Sequence, residues 1–306
     1  MTAQVVVVGS INIDLVFSAP RLPGAGETVS GASFAAYPGG KGGNQAVATA
    51  RMGVNTALVG CVGQDSYGQH LLDNLAEDNV DCAHVTRFPD PSGCAGIVVD
   101  PHGENTITVA GGANARLTPN LVRQAASHIA DAGAMLIQLE IPWDSVQEAL
   151  SLARQSGIIT ILDPAPADKL QPESLKQVDY ITPNAREASF LTGIHVHCWS
   201  SAAQAARELR RWGVGHVLIT MGQYGAFYSS QEGEVRITSP QVQAVDSTAA
   251  GDAFNGALAA ALVQGADPDQ AADVAAAAGA LAATRPGAQP SLPNLSQLRT
   301  VVELPW

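Results

Sequence analysis

Gln4-Val5-Val6-Val7-Val8-Gly9-Ser10-Ile11-Asn12-Ile13-Asp14 reads as a buried first strand that runs out into small and polar residues. β-branched side chains pack well on a pleated surface. In open α/β sheets ligands bind beyond the carboxyl ends of strands, which is where residues 9–14 fall. If the extended backbone continues, Asn12 and Asp14 point to one face, two residues apart. An amide and a carboxylate so placed can hold adjacent sugar hydroxyls; an ordinary Asn/Asp turn is the competing reading.

Outward from this strand, short β-branched runs alternate with Ala/Leu-rich amphipathic stretches. Strands are expected at 4–8, 56–61, 134–139, 158–162, 179–182 and 216–220. Helices are expected at 44–52, 68–77, 118–130, 143–155, 185–191, 202–212, 252–263 and 268–283. Such alternation predicts an α/β fold with a mostly parallel sheet covered on both faces. Gly53, Gly157 and Gly213 stand just past helical patterns, where helix-terminating glycines belong.

Two stretches break the alternation. Residues 15–38 are rich in Gly, Pro, Ser and Ala, with short extended pieces at 27–30 and 33–37. Residues 94–110 read as a hairpin, with Ile97-Val98-Val99 and Thr106-Ile107-Thr108-Val109 flanking a turn at Pro101-His102-Gly103-Glu104. Neither has a helix beside it, so they are expected to pair into a small sheet standing off the main domain. A sheet that small needs a neighbour, either the mouth of an active site, a second subunit, or both. The chain is expected to be one α/β domain with a small β lid, from about 14–40 and 94–111, inserted in it.

The 306 residues are 46% hydrophobic, enough for a sizeable core and too many for a disordered chain. A net charge of -12 argues against a nucleic-acid partner bound through a basic surface, while an anion such as ATP would need a locally positive spot. Cys61, Cys82, Cys94 and Cys198 are scattered without a CxxC pair, which fits a reducing cytoplasm better than a disulfide scaffold. No apolar run approaches the roughly 18 residues of a membrane span. The opening valines are too few for the apolar region of a signal peptide, and no basic stretch precedes them. A cytoplasmic protein with no membrane partner is the expectation.

Walker, dinucleotide-binding, nucleophile-elbow and HExxH motifs are all missing. His195, His197 and Cys198 supply too few ligands for zinc. The chemistry is carried elsewhere. Asp246-Ser247-Thr248-Ala249-Ala250-Gly251-Asp252-Ala253-Phe254-Asn255-Gly256 leads small residues into an Ala/Leu helix. Ala249, Ala250 and Gly251 present main-chain N–H groups with no bulk in the way. The helix N-terminus adds about half a positive charge, so the segment suits a phosphoryl group. Asp252 at the same helix start is placed to accept a proton from an attacking hydroxyl, or simply to cap the helix. Gly39-Gly40-Lys41-Gly42-Gly43-Asn44-Gln45-Ala46 lets a ligand approach the backbone and adds a cation, Lys41, and an amide, Asn44; a flexible turn is the bland alternative. Glu140 ends an apolar run at a strand's carboxyl end. Asn184 and Glu187 lie three apart on one helical face, where Glu187 could also be a plain first-turn acid.

Together these segments resemble the ribokinase family of carbohydrate kinases (the PfkB group) along the full chain. Two motifs are specific: residues 39–46, followed by Gly53 and Gly63, and residues 246–259 around Ala249-Ala250-Gly251-Asp252. Pro183-Asn184-Ala185-Arg186-Glu187 matches the family's Asn-x-x-Glu element. Gln138-Leu139-Glu140, Asp163-Pro164-Ala165-Pro166-Ala167 and Arg285-Pro286-Gly287-Ala288-Gln289-Pro290-Ser291 support the match. Ser247 stands where Thr is common in the family, and Ala276 where some relatives place a His by the adenine.

The resemblance implies a ribokinase-like three-layer α/β/α fold with a mostly parallel central sheet and a small β-sheet lid. It implies ATP-dependent phosphorylation of D-ribose at O5, with Asp252 as base and Ala249, Ala250 and Gly251 as the anion hole. Asn12, Asp14, Gly40, Lys41, Gly42, Gly43, Asn44 and Glu140, with Asp252, would hold the sugar. Asn184 and Glu187 would organise Mg²⁺-bound phosphates, Glu187 through water. Thr220, Met221, Gly222, Gln223, Tyr224 and Gly225, with Gly251 and Asp252, would flank the nucleotide. Asp246, Thr248, Ala282, Arg285, Gly287 and Ser291 match the family's monovalent-cation site, with K⁺ as activator held mostly by main-chain oxygens. The lids of two chains would join in a homodimer. The alternatives are a kinase of the same fold acting on deoxyribose, fructose or a nucleoside such as adenosine, and a non-catalytic sugar-binding regulator.

Overall fold

In the computed structural model, which describes residues 4–167, 170 and 172–306, the four opening valines are wholly buried. Side chains alternate along a strand, so Val5 and Val7 enter one core, and Val6 and Val8 another on the opposite face. Two cores divided by one sheet make three layers.

The chain starts with β1 (Gln4–Val8), β2 (Asn12–Ser18), β3 (Ser33–Gly39), α1 (Lys41–Arg51), β4 (Asn55–Gly63), α2 (Ser66–Glu77), β5 (Val80–Phe88), β6 (Gly93–Val99) and β7 (Asn105–Ala110). A 3₁₀ turn at Gly112–Arg116 leads to α3 (Pro119–Gln124), α4 (Ala126–Ala130), β8 (Ala134–Gln138), α5 (Trp143–Ser156), β9 (Ile159–Asp163), β10 (Tyr180–Ile181), α6 (Ala185–Thr192), α7 (Trp199–Arg211) and β11 (His216–Thr220). The remainder comprises β12 (Ala226–Ser229), β13 (Glu234–Ile237), α8 (Ala250–Val263), α9 (Pro268–Ala282) and α10 (Leu295–Leu298).

The main sheet has the order β13-β12-β11-β10-β9-β8-β1-β4-β5. From β11 to β5 every pair is parallel; β12 and β13 add an antiparallel hairpin at one edge. Side chains of α1, α2, α8 and α9 fill the core on one face, and those of α3, α4, α5 and α7 the core on the other. The Ala-rich α8 and α9 pack closely because alanine keeps side-chain bulk out of the interface.

Several boundaries differ from the sequence reading. Helix α1 begins at Lys41 rather than Asn44, so Gly42 and Gly43 lie inside its first turn. Helix α8 begins at Ala250 rather than Asp252. The helix expected at 118–130 divides at Ala125, which ends α3 and opens α4. Strands β5, β12 and β13 were not expected. The first is a polar, half-exposed edge strand, and the other two have only four residues each, too short for a pattern.

The second sheet has the order β3-β2-β6-β7. Its inner strands are β2 and β6, and β2 is the extension past the break at residues 9–11 that the sequence reading held open. The piece at 27–30 takes no part in it. In register, Asp14 stands opposite Tyr37 on β3 and Ala95 on β6. That face looks across a cavity of about 950 Å³ whose lining includes Asp14, Tyr37, Ile97, His102, Asp246 and Gly287. Phe17 and Phe34 pair on the other face, ring centroids 5.1 Å apart, and both are exposed. Among the described residues no helix is long and apolar enough to cross a membrane.

Candidate active site

The site is built where α1 and α8 begin, over the carboxyl ends of β1, β8 and β9. Helix α1 comes unusually close to the end of β1. A Cβ on Gly42 would sit 2.6 Å from the carbonyl carbon of Gly9, so only glycine permits the approach. Gly40 turns the chain into the helix at φ 80, and the N–H of Gly43 donates to Ser10 O over 2.9 Å. This delivers Lys41, Asn44 and Gln45 to the sheet's carboxyl edge.

Asp252, in the first turn of α8, is 5% exposed and faces that delivery. Its Oδ2 accepts from Asn44 Nδ2 at 2.8 Å and its Oδ1 from Gln45 Nε2 at 3.0 Å. Gln45 Nε2 also donates to Asp163 Oδ2 at 2.9 Å, and Lys41 Nζ reaches the same oxygen at 3.2 Å. Burial raises the Asp252 carboxyl to about 6; Lys41 pulls it back down while Asp163 pushes it further up. Such a carboxylate is still ionised at neutral pH yet holds a proton better than an exposed one. Burial likewise raises Asp163. Burial by itself disfavours the Lys41 ammonium, but Asp163, Asp252, Glu140 and Glu187 outweigh it, and its pKa stands above the ordinary value.

On the small-sheet side, Glu140 Oε2 accepts from Ser10 Oγ at 2.5 Å and from the Lys41 main-chain N–H at 3.3 Å. Asn12 is buried, and its Oδ1 accepts from Asn114 Nδ2 at 2.7 Å, while its Nδ2 has no acceptor among the described residues. Asn114 also bonds Ile11 N at 2.9 Å and Ile11 O at 3.2 Å, pinning the junction between the two sheets. Among the described residues Asp14 has no hydrogen-bond partner, although it is only 8% exposed. Burial, then Glu140, then Asp252 raise its carboxyl to about 7. An unpaired buried carboxylate beside a cavity suits a ligand rich in hydroxyls.

On the opposite side, Ala249 has φ 58, one of two non-glycine residues at positive φ among the described residues. Backbone held in this region is strained, and such strain clusters at functional sites. The N–H groups of Ala249 and Gly251 have no protein acceptor among the described residues, and a Cβ on Gly251 would meet nothing within 4 Å. The Ala250 N–H is turned back onto Ser247 O at 3.2 Å. Open space in front of free N–H groups at the start of a 14-residue helix fits an anion.

Asn184 and Glu187 bond each other reciprocally at the start of α6, Asn184 Oδ1 accepting from Glu187 N and Glu187 Oε2 from Asn184 N. This capping box satisfies the helix end. The Glu187 carboxyl is raised, first by burial and then by Asp163, which places it within electrostatic reach of the Asp252 cluster. Asn184 bridges to Thr220, so the end of β11 lies alongside. Beyond it Gly222–Tyr224 form a 3₁₀ turn closed by Gly225 at φ 100, with Tyr224 exposed and the Met221 N–H on Gly225 O at 2.7 Å. Gln223, the middle residue of that turn, is exposed as well.

Asp246 Oδ1 accepts from Thr248 N at 2.9 Å and Thr248 Oγ1 at 2.7 Å, and its Oδ2 from Gly287 N at 2.9 Å. The loop before α8 is thereby tied to the loop after α9. Arg285 N donates to Ala282 O at 3.3 Å, and Ser291 Oγ to Ala288 O at 2.8 Å, so both residues lie in the same turn-rich segment.

Asp163, Gln45, Gln138, Ser10 and Asn114 are joined to this site without having been singled out for roles from the sequence. Asp163 carried the same signal as Glu140, a carboxylate ending a buried strand. Gln138 was a polar residue closing an apolar run. Asn114 had no local signal; its partners lie 102 and 103 residues away.

The chain matches the model of the pfkB family of carbohydrate kinases over residues 2–295. It is similar to a ribokinase from Haemophilus influenzae, 40% identical over 305 residues, covering 99% of each chain. A deoxyribokinase from Salmonella typhi is 32% identical over 303 residues, 98% of this chain and 99% of that one. The structure of a ribokinase from Arabidopsis thaliana complexed with ribose and ATP superposes with a TM-score of 0.90, at 33% identity over 98% of each chain.

Proposed function

This chain belongs to the pfkB family of carbohydrate kinases, and from that premise we propose that it transfers the γ-phosphoryl group of ATP to O5 of D-ribose. The observation that carries this reading is Asp252, buried between the amides of Asn44 and Gln45 and two residues into a helix at whose start the N–H groups of Ala249 and Gly251 have no acceptor among the described residues. A proton acceptor thus adjoins an anion cradle, with Asp14, unpaired among the described residues, close enough to feel its charge.

Asp252 takes the proton from O5 as that oxygen attacks the γ-phosphorus. The bond from phosphorus to the bridging oxygen breaks, and ADP leaves. General-base help of this kind is worth typically ~10²–10⁴-fold. The N–H groups of Ala249 and Gly251 receive the charge that builds on the transferring oxygens, and loss of one such donor costs roughly 10²–10³-fold. Asn12, Asp14, Lys41, Asn44 and Glu140 hold the sugar, with Gly40, Gly42 and Gly43 giving it room at the backbone. The turn at residues 220–225 flanks the nucleotide. Closing the small sheet over the cavity excludes water, the competing acceptor.

Among the described residues five carboxylates (Asp14, Glu140, Asp163, Glu187 and Asp252) share this site with one ammonium, Lys41. A polyphosphate entering it needs added positive charge. Mg²⁺ supplies that charge when bound, with Glu187 holding it through water. The loops of Asp246, Thr248 and Gly287, with Ala282, Arg285 and Ser291, would hold K⁺ by main-chain oxygens behind the anion cradle. The exposed Phe17 and Phe34, paired on the face of the small sheet turned away from the cavity, support a homodimer formed through it.

The test is ADP release in a coupled assay with ribose, deoxyribose, fructose and adenosine, each with and without K⁺. Ribose is expected to give the highest kcat/KM and K⁺ to raise it. Preference for deoxyribose would favour the second reading, supported by the 32% identical deoxyribokinase. No turnover of any sugar would leave a sugar-binding protein.

A further inference from the structure

One relay beside Asp252 is not used by phosphoryl transfer itself. Gln45 is wholly buried, and its single amide nitrogen serves two carboxylates, Asp163 Oδ2 at 2.9 Å and Asp252 Oδ1 at 3.0 Å. Its Oε1 accepts from Gln138 Nε2 at 2.6 Å. We propose that Gln45, locked by Gln138, is the positioning residue that keeps the Asp252 carboxylate ionised and aimed, a role that rests on reading Asp252 as the base.

The orientation of the relay follows from charge. An amide oxygen cannot face two carboxylates, so the N–H groups of Gln45 must point to them, and its oxygen must find a donor on the other side. Gln138 is that donor. Its own Oε1 is then left buried without a partner among the described residues. Strand β8 is otherwise Ala-Met-Leu-Ile, and a leucine at its end would carry no orphaned atom of its own but would leave Gln45 Oε1 without its donor. The fold also keeps room for this amide, since a Cβ on Gly9 would fall 1.9 Å from Gln138 Oε1. A buried polar group retained at a stability cost calls for a functional reason.

Asp252 needs such support. Lys41 from α1 bonds Asp163 rather than Asp252, and Asp163 from β9, with Asp14 from β2, adds negative charge nearby. Glu140 and Glu187 act on Lys41 as well. Among the described residues only Asn44 and Gln45 donate to Asp252, and donation to the charged form opposes the effect of burial.

The test compares Gln45→Leu, Gln138→Leu and Asp252→Asn with the parent, using pH profiles of kcat, ribose KM and thermal melts. Base catalysis is lost as Asp252 protonates, so removing a donor moves the acid limb to higher pH. A shift of roughly one pH unit is expected in Gln45→Leu and a smaller one in Gln138→Leu, with ribose KM within about twofold of the parent. Gln138→Leu leaves Gln45 Oε1 without its donor and is expected to melt somewhat lower than the parent, so the readout that a purely structural glutamine would not move is the acid limb. An acid limb that stays in place overturns the relay; if Gln45→Leu does not fold, Gln138→Leu alone decides. Full turnover by Asp252→Asn would break the base assignment itself, a separate failure.

Discussion

Asn44 Nδ2 donates to Asp252 Oδ2 over 2.8 Å, joining the first turns of two helices whose residues lie 208 apart in the chain. The glycine-rich motif and the anion-cradle motif are therefore one machine. Neither helix can shift without disturbing the same carboxylate.

Asp252→Asn keeps the shape of the side chain and removes its basicity. Turnover is expected to fall by at least about 10²-fold, with ribose and ATP binding largely intact. Calorimetric titration of each ligand beside steady-state kinetics checks this. Turnover near the parent value would remove Asp252 from the base role.

Asp14 ties function to stability. Its folded carboxyl titrates at about 7 against 3.8 for a free one, so between those values the folded state holds the extra proton. Stability then falls as pH rises through that window, and above pH 7 the whole cost of the buried charge is present. Asp14→Asn is expected to melt a few degrees higher than the parent at pH 8 and about the same at pH 4. Its ribose KM should rise by at least about tenfold while ATP KM hardly moves. Equal effects on both ligands would contradict the assignment of Asp14 to the sugar.

A Cβ on Gly93 would fall 2.1 Å from Asn12 Oδ1 and 2.2 Å from Asn114 Nδ2. Gly93→Ala must therefore push the two amides apart and swing the Asn12 donor away. The expected result is a ribose KM raised roughly tenfold, with the ATP KM within about twofold. Kinetics with each substrate varied in turn would read this directly.

Phe34 is 57% exposed and packs on Phe17 across β3 and β2. If the small sheet joins two chains, Phe34→Asp places a charge in an apolar contact and should yield monomers. Sedimentation velocity on the parent and the variant decides the point; a parent that is already monomeric defeats the proposal.

Residues that announce themselves locally were legible in the sequence. The Val5–Val8 run, the Ala/Leu helices and the two glycine-rich motifs encode a covered parallel sheet because side-chain periodicity and backbone freedom are properties of neighbouring residues. Asp252, Asp14 and Glu140 stood out for the same reason, at a helix start or a strand end. What tertiary structure alone decided were pairings between distant segments: Gln45 with Asp163 and Gln138, Asn12 with Asn114, Asp246 with Gly287. It also decided protonation. Asp14 and Asp252 depart from ordinary carboxylates only because folding removes water and gathers other carboxylates around Lys41, and no short window of sequence contains that dielectric.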